Sequence, residues 1–351
     1  ANLPAPAIPL PSAHFNTVIW TGNSTDNRVI PVGFAADLTW FKQRTGTNWH
    51  ALLDTVRGNS NPNVIHSNAT NAAGDWTYIF KGHTSTGFTV GTDSAVNANS
   101  NTYVAWNWKA NGSGSQNTDG SINSTATSAN QTAGFSIVTF TVPGSNGNHT
   151  VGHGLGQIPE LILLKRRDST GNWLVHALPV TPTVEDVLQL NTTSAVIDAG
   201  SNQWGTALPT SSVFGVVSEN LVVNNATYVA YCFASKPGFS KIGTYTGNGS
   251  ATAGPFVNLG FKPAFVIRKR TTGAGEWWMQ DIARTPNNIS KTALRANQSD
   301  AEVTSGDDSY GIDILSNGFR VFGAAVYLNS NGETYLYMAF AESPFKTSNA
   351  H

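Results

Sequence analysis

The stretch NNATYVAYCFA, Asn224 to Ala234, is apolar on both faces of an extended chain, the pattern of a strand buried at the centre of a sandwich. Nearly the same words recur as NSNTYVAWNWK from Asn99 and NGETYLYMAFA from Asn331. Upstream of each copy the same events follow in the same order. A leading segment comes first: NTVIWTGNSTDNRV from Asn16, FSIVTFTVPGSNGNHTV from Phe135 and IGTYTGNGSATAGPFV from Ile242. A turn and an apolar strand ending in basic residues come next: VGFAADLTWFKQR, HGLGQIPELILLKRR and NLGFKPAFVIRKR. A short polar turn then leads to Trp. Lys42, Lys165 and Lys269 stand at matching places, as do Trp49, Trp173 and Trp277, and Tyr103, Tyr228 and Tyr335.

Each copy is too long for a solenoid repeat of about 20–50 residues, so each reads as a small domain. The alternating runs are short and broken by Gly, Asn, Asp and Ser at intervals of about 8–12 residues, the signature of antiparallel sandwiches. The expectation is an all-β chain of three tandem, related, jelly-roll-like β-sandwiches at 15–112, 134–239 and 240–347. Residues 1–14 read as an extended Pro-rich arm, and 113–133, rich in Gly, Ser, Asn and Thr, as a flexible linker. Helical turns are expected only around HALLDTVRG and VEDVLQL.

Composition closes off several functions. Of 351 residues 12% are charged and the formal net charge is −1, whereas a nucleic-acid binder needs a clustered basic surface. The lone Cys232 allows neither an internal disulfide nor a thiolate zinc cage, and within YVAYCFA it reads as a buried thiol. No apolar run of about 18 residues is present, so no membrane insertion is expected. His149 and His153 fall in a strand-and-turn context without a third ligand, so neither a metal nor any other cofactor is expected. There is no G-x-S-x-G elbow and no phosphate loop, and no Asp or Glu occupies one place in all three copies. The sequence therefore reads as non-enzymatic. A glycan depolymerase would need two carboxylates assembled between subunits.

The Lys…Trp element has two readings. Lys42, Trp49, Lys165, Trp173, Lys269, Trp277 and Trp278 are candidate glycan-binding residues, because indole faces stack on pyranose C–H groups while ammonium groups donate to hydroxyls. Alternatively the indoles are core and the lysine stems pack beside them. Trp277 and Trp278 are adjacent, so on a strand they face opposite ways and one of them is expected to point outward.

The segments HFNTVIWTGNSTDNRVIPVGFAADLTWFKQR, GFSIVTFTVPGSNGNHTVGHGLGQIPELILLKRRDSTGNW and GFSKIGTYTGNGSATAGPFVNLGFKPAFVIRKR, with the TYVAWNWKANG and TYVAYCFA endings, resemble a repeat domain. That domain is widespread in structural proteins of marine bacteriophages. The resemblance runs from about His14 to Phe345 and departs from the usual Gly-Phe-x-Pro-Asp turn at FAAD in the first copy. It implies a virion component, a tail fibre or other receptor-binding appendage, usually homotrimeric, that meets a bacterial surface glycan or receptor. In such proteins NLPAPAI often follows a domain similar to SPRY modules. That implies a C-terminal portion, joined to other virion proteins through the region before it. The other expectation is a purely structural fibre or capsid-decoration protein.

Overall fold

The computed structural model describes residues 6–58, 63–74, 78–304, 306 and 310–344. The repeated phrase forms the central strands Thr102–Trp108, Thr227–Phe233 and Thr334–Pro344. Each is entered through one kind of turn. Asn101, Ala226 and Glu333 donate N–H to the carbonyls of Ala98, Val223 and Ser330. The third residue of the turn takes a positive φ: Ser100 (66°), Asn225 (58°) and Gly332 (79°). Glycine and asparagine suit that region because it crowds a Cβ. The tyrosine that follows locks the turn. Its hydroxyl accepts the N–H five residues back, from Ala98, Val223 and Ser330 at 2.9, 3.0 and 2.8 Å. Tyr103 and Tyr335 also donate to the carbonyls of Ser94 and Val326. The words N-x-x-T-Y thus encode a clamped corner as well as a buried strand.

Around each central strand the order is the same. A leading strand (Phe15–Thr21, Phe135–Thr141, Ser240–Thr246) pairs on one side and the lysine-bearing strand (Leu38–Gln43, Leu161–Arg166, Phe261–Arg270) on the other, all antiparallel. Beyond the lysine strand lies a fourth strand (Ala51–Asp54, Trp173–Ala177, Trp277–Asp281). Smaller sheets of three, two and three strands complete the sandwiches. Each sandwich has its own apolar core, built on Phe41 and Phe88, on Ile162 and Phe214, and on Val266 and Phe319.

The alternation of strand side chains sends the other face of each large sheet into a further core shared by all three units. Leu38 and Trp40, Leu161 and Leu163, and Phe265 and Ile267 meet there with Trp106, Tyr231 and Met338. At one end it becomes aromatic: Phe15 stacks on Phe340 at 4.8 Å and Phe135 on Phe233 at 4.9 Å, with Trp108 among them. Burying such a side chain contributes about 1.5–3 kcal/mol, so the units hold one another in place.

Several expectations change. HALLDTVRG and VEDVLQL are not helical: Ala51–Asp54 and Asp186–Gln189 are strands, because sheet partners satisfy their backbone better than one or two isolated turns would. The only α-helix among the described residues is the single turn Val326–Asn329. Nor is 113–133 a linker. Ala126–Asn130 is a strand added to the edge of the second unit's sheet, and Ile122 is buried in that unit's core. Its hydroxyl-rich composition serves the backbone: Ser124 Oγ accepts the N–H of Asn117, and Ser128 Oγ that of Asn111. The described part of the arm is not free either, since Ile8 enters the shared core.

Candidate functional site

The seven residues singled out by the Lys…Trp element lie where neighbouring units meet. Lys165 pairs across the strands with Trp173, and Lys269 with Trp277. In the first unit Phe41 lies opposite Ala51, which sets His50, not Trp49, opposite Lys42. The turn has the same length in all three copies, so alignment by residue type, which takes Trp49, is off by one.

This register exposes a closed ring of equivalent contacts. Trp173 of the second unit donates Nε1–H to the carbonyl of His66 in the first, at 2.7 Å. Trp277 of the third donates to Gln189 of the second at 3.0 Å. His50 of the first bonds through Nε2 to Arg295 of the third at 3.1 Å. Trp40 donates to Nδ1 of His50 at 2.9 Å, so the ring proton sits on Nε2 and His50 is the donor. Burial, aided by the charge of Lys42, holds that imidazole neutral, well below its ordinary pKa. A second ring is made by backbone alone: Ala73 N–H to Arg167, Val196 to Thr271, and Glu302 to Arg44, at 2.8, 2.9 and 2.7 Å. The third unit therefore meets the first as the first meets the second.

The lysines belong to these joints. Lys165 Nζ donates to Thr70 of the first unit and to Gly171, Lys269 Nζ to Thr193 of the second and to Gly275, all at 2.7–3.0 Å. Lys42 Nζ donates to Gln43 and Gly46 of its own turn, with Asp300 and Glu302 of the third unit nearby. Burial pushes all three ammonium groups down to about 8. Beside them Asn68, Asn191 and Asn297 offer Oδ1 to the N–H of His50, Trp173 and Trp277. These asparagines open N-A-T, N-T-T and N-Q-S, three sequons at one place in each copy. That repetition was the available signal, hidden among many other sequons.

Charge is spread unevenly over the joints. Asp54 pairs with Arg57 at 2.5 Å and accepts from Tyr231 Oη of the second unit at 2.7 Å. Asp281 pairs with Arg284 at 2.6 Å and accepts from Trp106 of the first unit at 3.0 Å. Strand register puts Ala177 at the corresponding place in the second unit, where Met338 takes the role of Tyr231 and Trp106. Two joints are ionic and one is apolar. Glu302 binds both Arg44, at 2.8 Å, and Arg284, at 3.0 Å. Burial alone would raise its carboxyl, but the hydrogen bond from Arg44 and the charges of both arginines hold it below its ordinary value.

A glycan cannot reach six of the seven candidates. Lys42, Lys165, Lys269, Trp173, Trp277 and Trp278 are buried, the lysines because their carbonyl partners line the joints. Neither member of the Trp277–Trp278 pair points outward: Trp277 faces the shared core and Trp278 is stacked between Tyr310 and Tyr327. Trp49 alone stays on the surface, 39% exposed, its ring edge-on to His66 at 5.0 Å. Sequence reading missed Tyr78, 66% exposed at the same end of the first unit, with Lys81 Nζ 5.9 Å from its ring centre. Lys81 in turn pairs with Asp26 at 3.3 Å.

Fold and joints together define a class: a closed all-β ring of three repeated sandwiches fastened by buried polar contacts. The chain belongs to the family described as a domain of unknown function, DUF7483, whose model matches residues 10–344. The match runs through all three copies, so the family model spans the three repeats together. No curated protein and no solved structure matches the chain.

Proposed function

We propose that this chain is the host-facing portion of a bacteriophage appendage, a tail fibre or receptor-binding protein, that holds a bacterial surface glycan without cleaving it. The observation that carries this reading is the polarity of the ring. Pro6 and Pro344 both approach Gly238, so the described chain enters and leaves at one end, while Lys269 and Arg270 end their ten-residue strand at the other. Trp49 and Tyr78 stand at that far end, as aromatic platforms on a tip would. The low charge and wealth of Ser, Thr and Asn suit hydroxyl recognition. Assembly as a homotrimer, with contacts to other virion proteins, belongs to the same proposal.

The test is binding of the purified chain to host envelope polysaccharides on an array, run beside a reducing-sugar release assay. Binding without release is expected, with Trp49→Ala and Tyr78→Ala each weakening it by roughly tenfold, the loss of about 1.4 kcal/mol of stacking. Release of oligosaccharide would overturn the non-enzymatic reading, and binding indifferent to both substitutions would overturn the site. A purely structural virion or capsid-decoration role is the second reading, favoured by the burial of six of the seven candidate residues. A depolymerase gains least, because the joint carboxylates Asp54, Asp281 and Glu302 are all held in ion pairs.

A further inference from the structure

The three sandwiches are alike, but one of their edges is treated in three different ways. Leaving aside residues 113–130, the leading strand is the outer strand of the large sheet in every unit, and a short strand (Arg28–Pro31, Asn148–Gly152, Phe256–Asn258) borders the small sheet. In the second unit, the segment 113–130 seals both. Ala126–Asn130 pairs with Phe135–Thr139 of the leading strand. Ahead of it, Ile122 N–H donates to Thr150 O at 2.9 Å, and Ser121 and Thr150 exchange N–H-to-hydroxyl bonds at 2.9 Å each. Ile122 fills the gap between the sheets and is only 4% exposed. One nearly uncharged segment, doubled back where Ser115 pairs with Thr127 and ending in the extended strand Ala126–Asn130, thus covers the edge with a single branched apolar anchor.

The third unit has no such strap and guards its leading strand instead, with Lys241 in the strand and Thr244 facing water. Charged side chains of this kind discourage edge pairing. The first unit has no strap, and the one charge on this edge, Arg28 of the bordering strand, is turned onto the carbonyl of Thr21 at 2.6 Å, at the far end of the leading strand. Its leading strand, FNTVIWT, holds no charge over seven residues. Where the other units place Thr139 and Thr244 opposite Val229 and Leu336, it places Ile19 opposite Val104, 45% exposed. On the bordering strand, Thr150, covered by the strap, corresponds to Val29, 53% exposed, and to Phe256 of the third unit, 48% exposed, so it is the leading strand that sets the first unit apart. An uncharged, uncovered leading strand flanked by two exposed branched residues is a template for strand addition.

We infer that the open edge of the first sandwich is an acceptor for an extended, uncharged, Ser/Thr-rich segment of a partner protein, carrying one branched apolar residue and adding antiparallel to Phe15–Thr21 as Ala126–Asn130 adds to Phe135–Thr139. Backbone pairing supplies the affinity, and the branched residue seats over Ile19 and Val29 as Ile122 seats in the second unit. This site stands apart from Trp49 and Tyr78 and does not depend on glycan binding.

The probe is a fluorescent peptide of residues 113–131, the segment already known to fit such an edge. Its binding to the intact chain is followed by anisotropy, and backbone protection by hydrogen exchange. Saturable binding below about 1 mM is expected, with slowed exchange across 16–20. Ile19→Lys or Val29→Lys should weaken it at least tenfold, and so should Ile122→Asp in the peptide. Both protein positions are exposed, so the variants fold, and unchanged unfolding curves verify it. Absence of saturable binding, or binding indifferent to these changes, overturns the proposal. So does a concentration-dependent dimer of the free chain that Ile19→Lys returns to monomer, because the edge would then belong to a second copy.

Discussion

The buried lysines of the joints make an unusual demand on pH. An ammonium group pushed from 10.5 down to about 8 by burial binds its proton less tightly folded than unfolded. Between pH 8 and 10.5 the unfolded chain therefore carries more protons, and stability rises with pH. From pH 8 to pH 9 the gain is about 1 kcal/mol for each of Lys42, Lys165 and Lys269, and about 3 kcal/mol for the three. Cys232 opposes them. Burial pushes its thiol up to about 12, so ionisation of the unfolded thiol takes back a few tenths of a kcal/mol over that interval. The tyrosines raised by burial, Tyr245 and Tyr337 to about 12, draw stability down from about pH 9 and most steeply above pH 10. Urea midpoints should climb from pH 8 to 9, pass a maximum near 10, and then fall. Lys165→Met should remove about a third of the climb, and the triple Met variant nearly all of it. A midpoint that stays flat or drops between pH 8 and 9 in the native chain would refute the reasoning, as would a climb that survives in the triple variant.

Other expectations concern the corners and joints. Tyr335→Phe removes an acceptor for Ser330 and a donor to Val326, and should cost about 1–2 kcal/mol in urea unfolding. Tyr228→Phe should cost less, since its hydroxyl holds only the Val223 N–H at that turn. Asp54→Ala strands the fully buried Arg57 and should destabilise by about 3–5 kcal/mol, a loss that adding Arg57→Met partly reverses. Asn191→Ala unpairs the N–H of Trp173 at the joint of the first and second units and should cost about 1–3 kcal/mol by the same measurement.

The triple phrase was enough to read the central strands and the sandwich fold, because a strand apolar on both faces has few other places to go. Ring closure was not legible. It depends on contacts such as Glu302 to Arg44, separated by most of the chain, and on backbone carbonyls that carry no residue signature. His50 went unnoticed because it replaces Trp173 and Trp277 by position and not by type: an imidazole N–H reaches the carbonyl that an indole N–H reaches elsewhere. The strap at 113–130 looked like a linker because strand propensity is weak in Ser, Asn and Gly, and its edge supplied what propensity lacked. The three lysines, with Trp173 and Trp277, do occupy equivalent places, whereas Trp49 stands one residue off and Trp278 packs within the third unit. The role of the equivalent residues differed because two chemistries use the same residues: an ammonium and an indole N–H serve carbonyl oxygens in a joint as readily as hydroxyls on a sugar.

His50 reaching Arg295 fixes the copy number of the repeat. An open array tolerates gain or loss of a module at either end, since a new terminus resembles the old one. Here a chain of two copies would leave a pair of joint faces bare, and a fourth copy could enter only by widening the angle at every other joint. Duplication and deletion, the ordinary route by which repeat proteins change length, are therefore barred within this architecture. Variation must instead fall on what the ring does not use for closure: the turn lengths, the rim side chains and the cover on each sandwich edge.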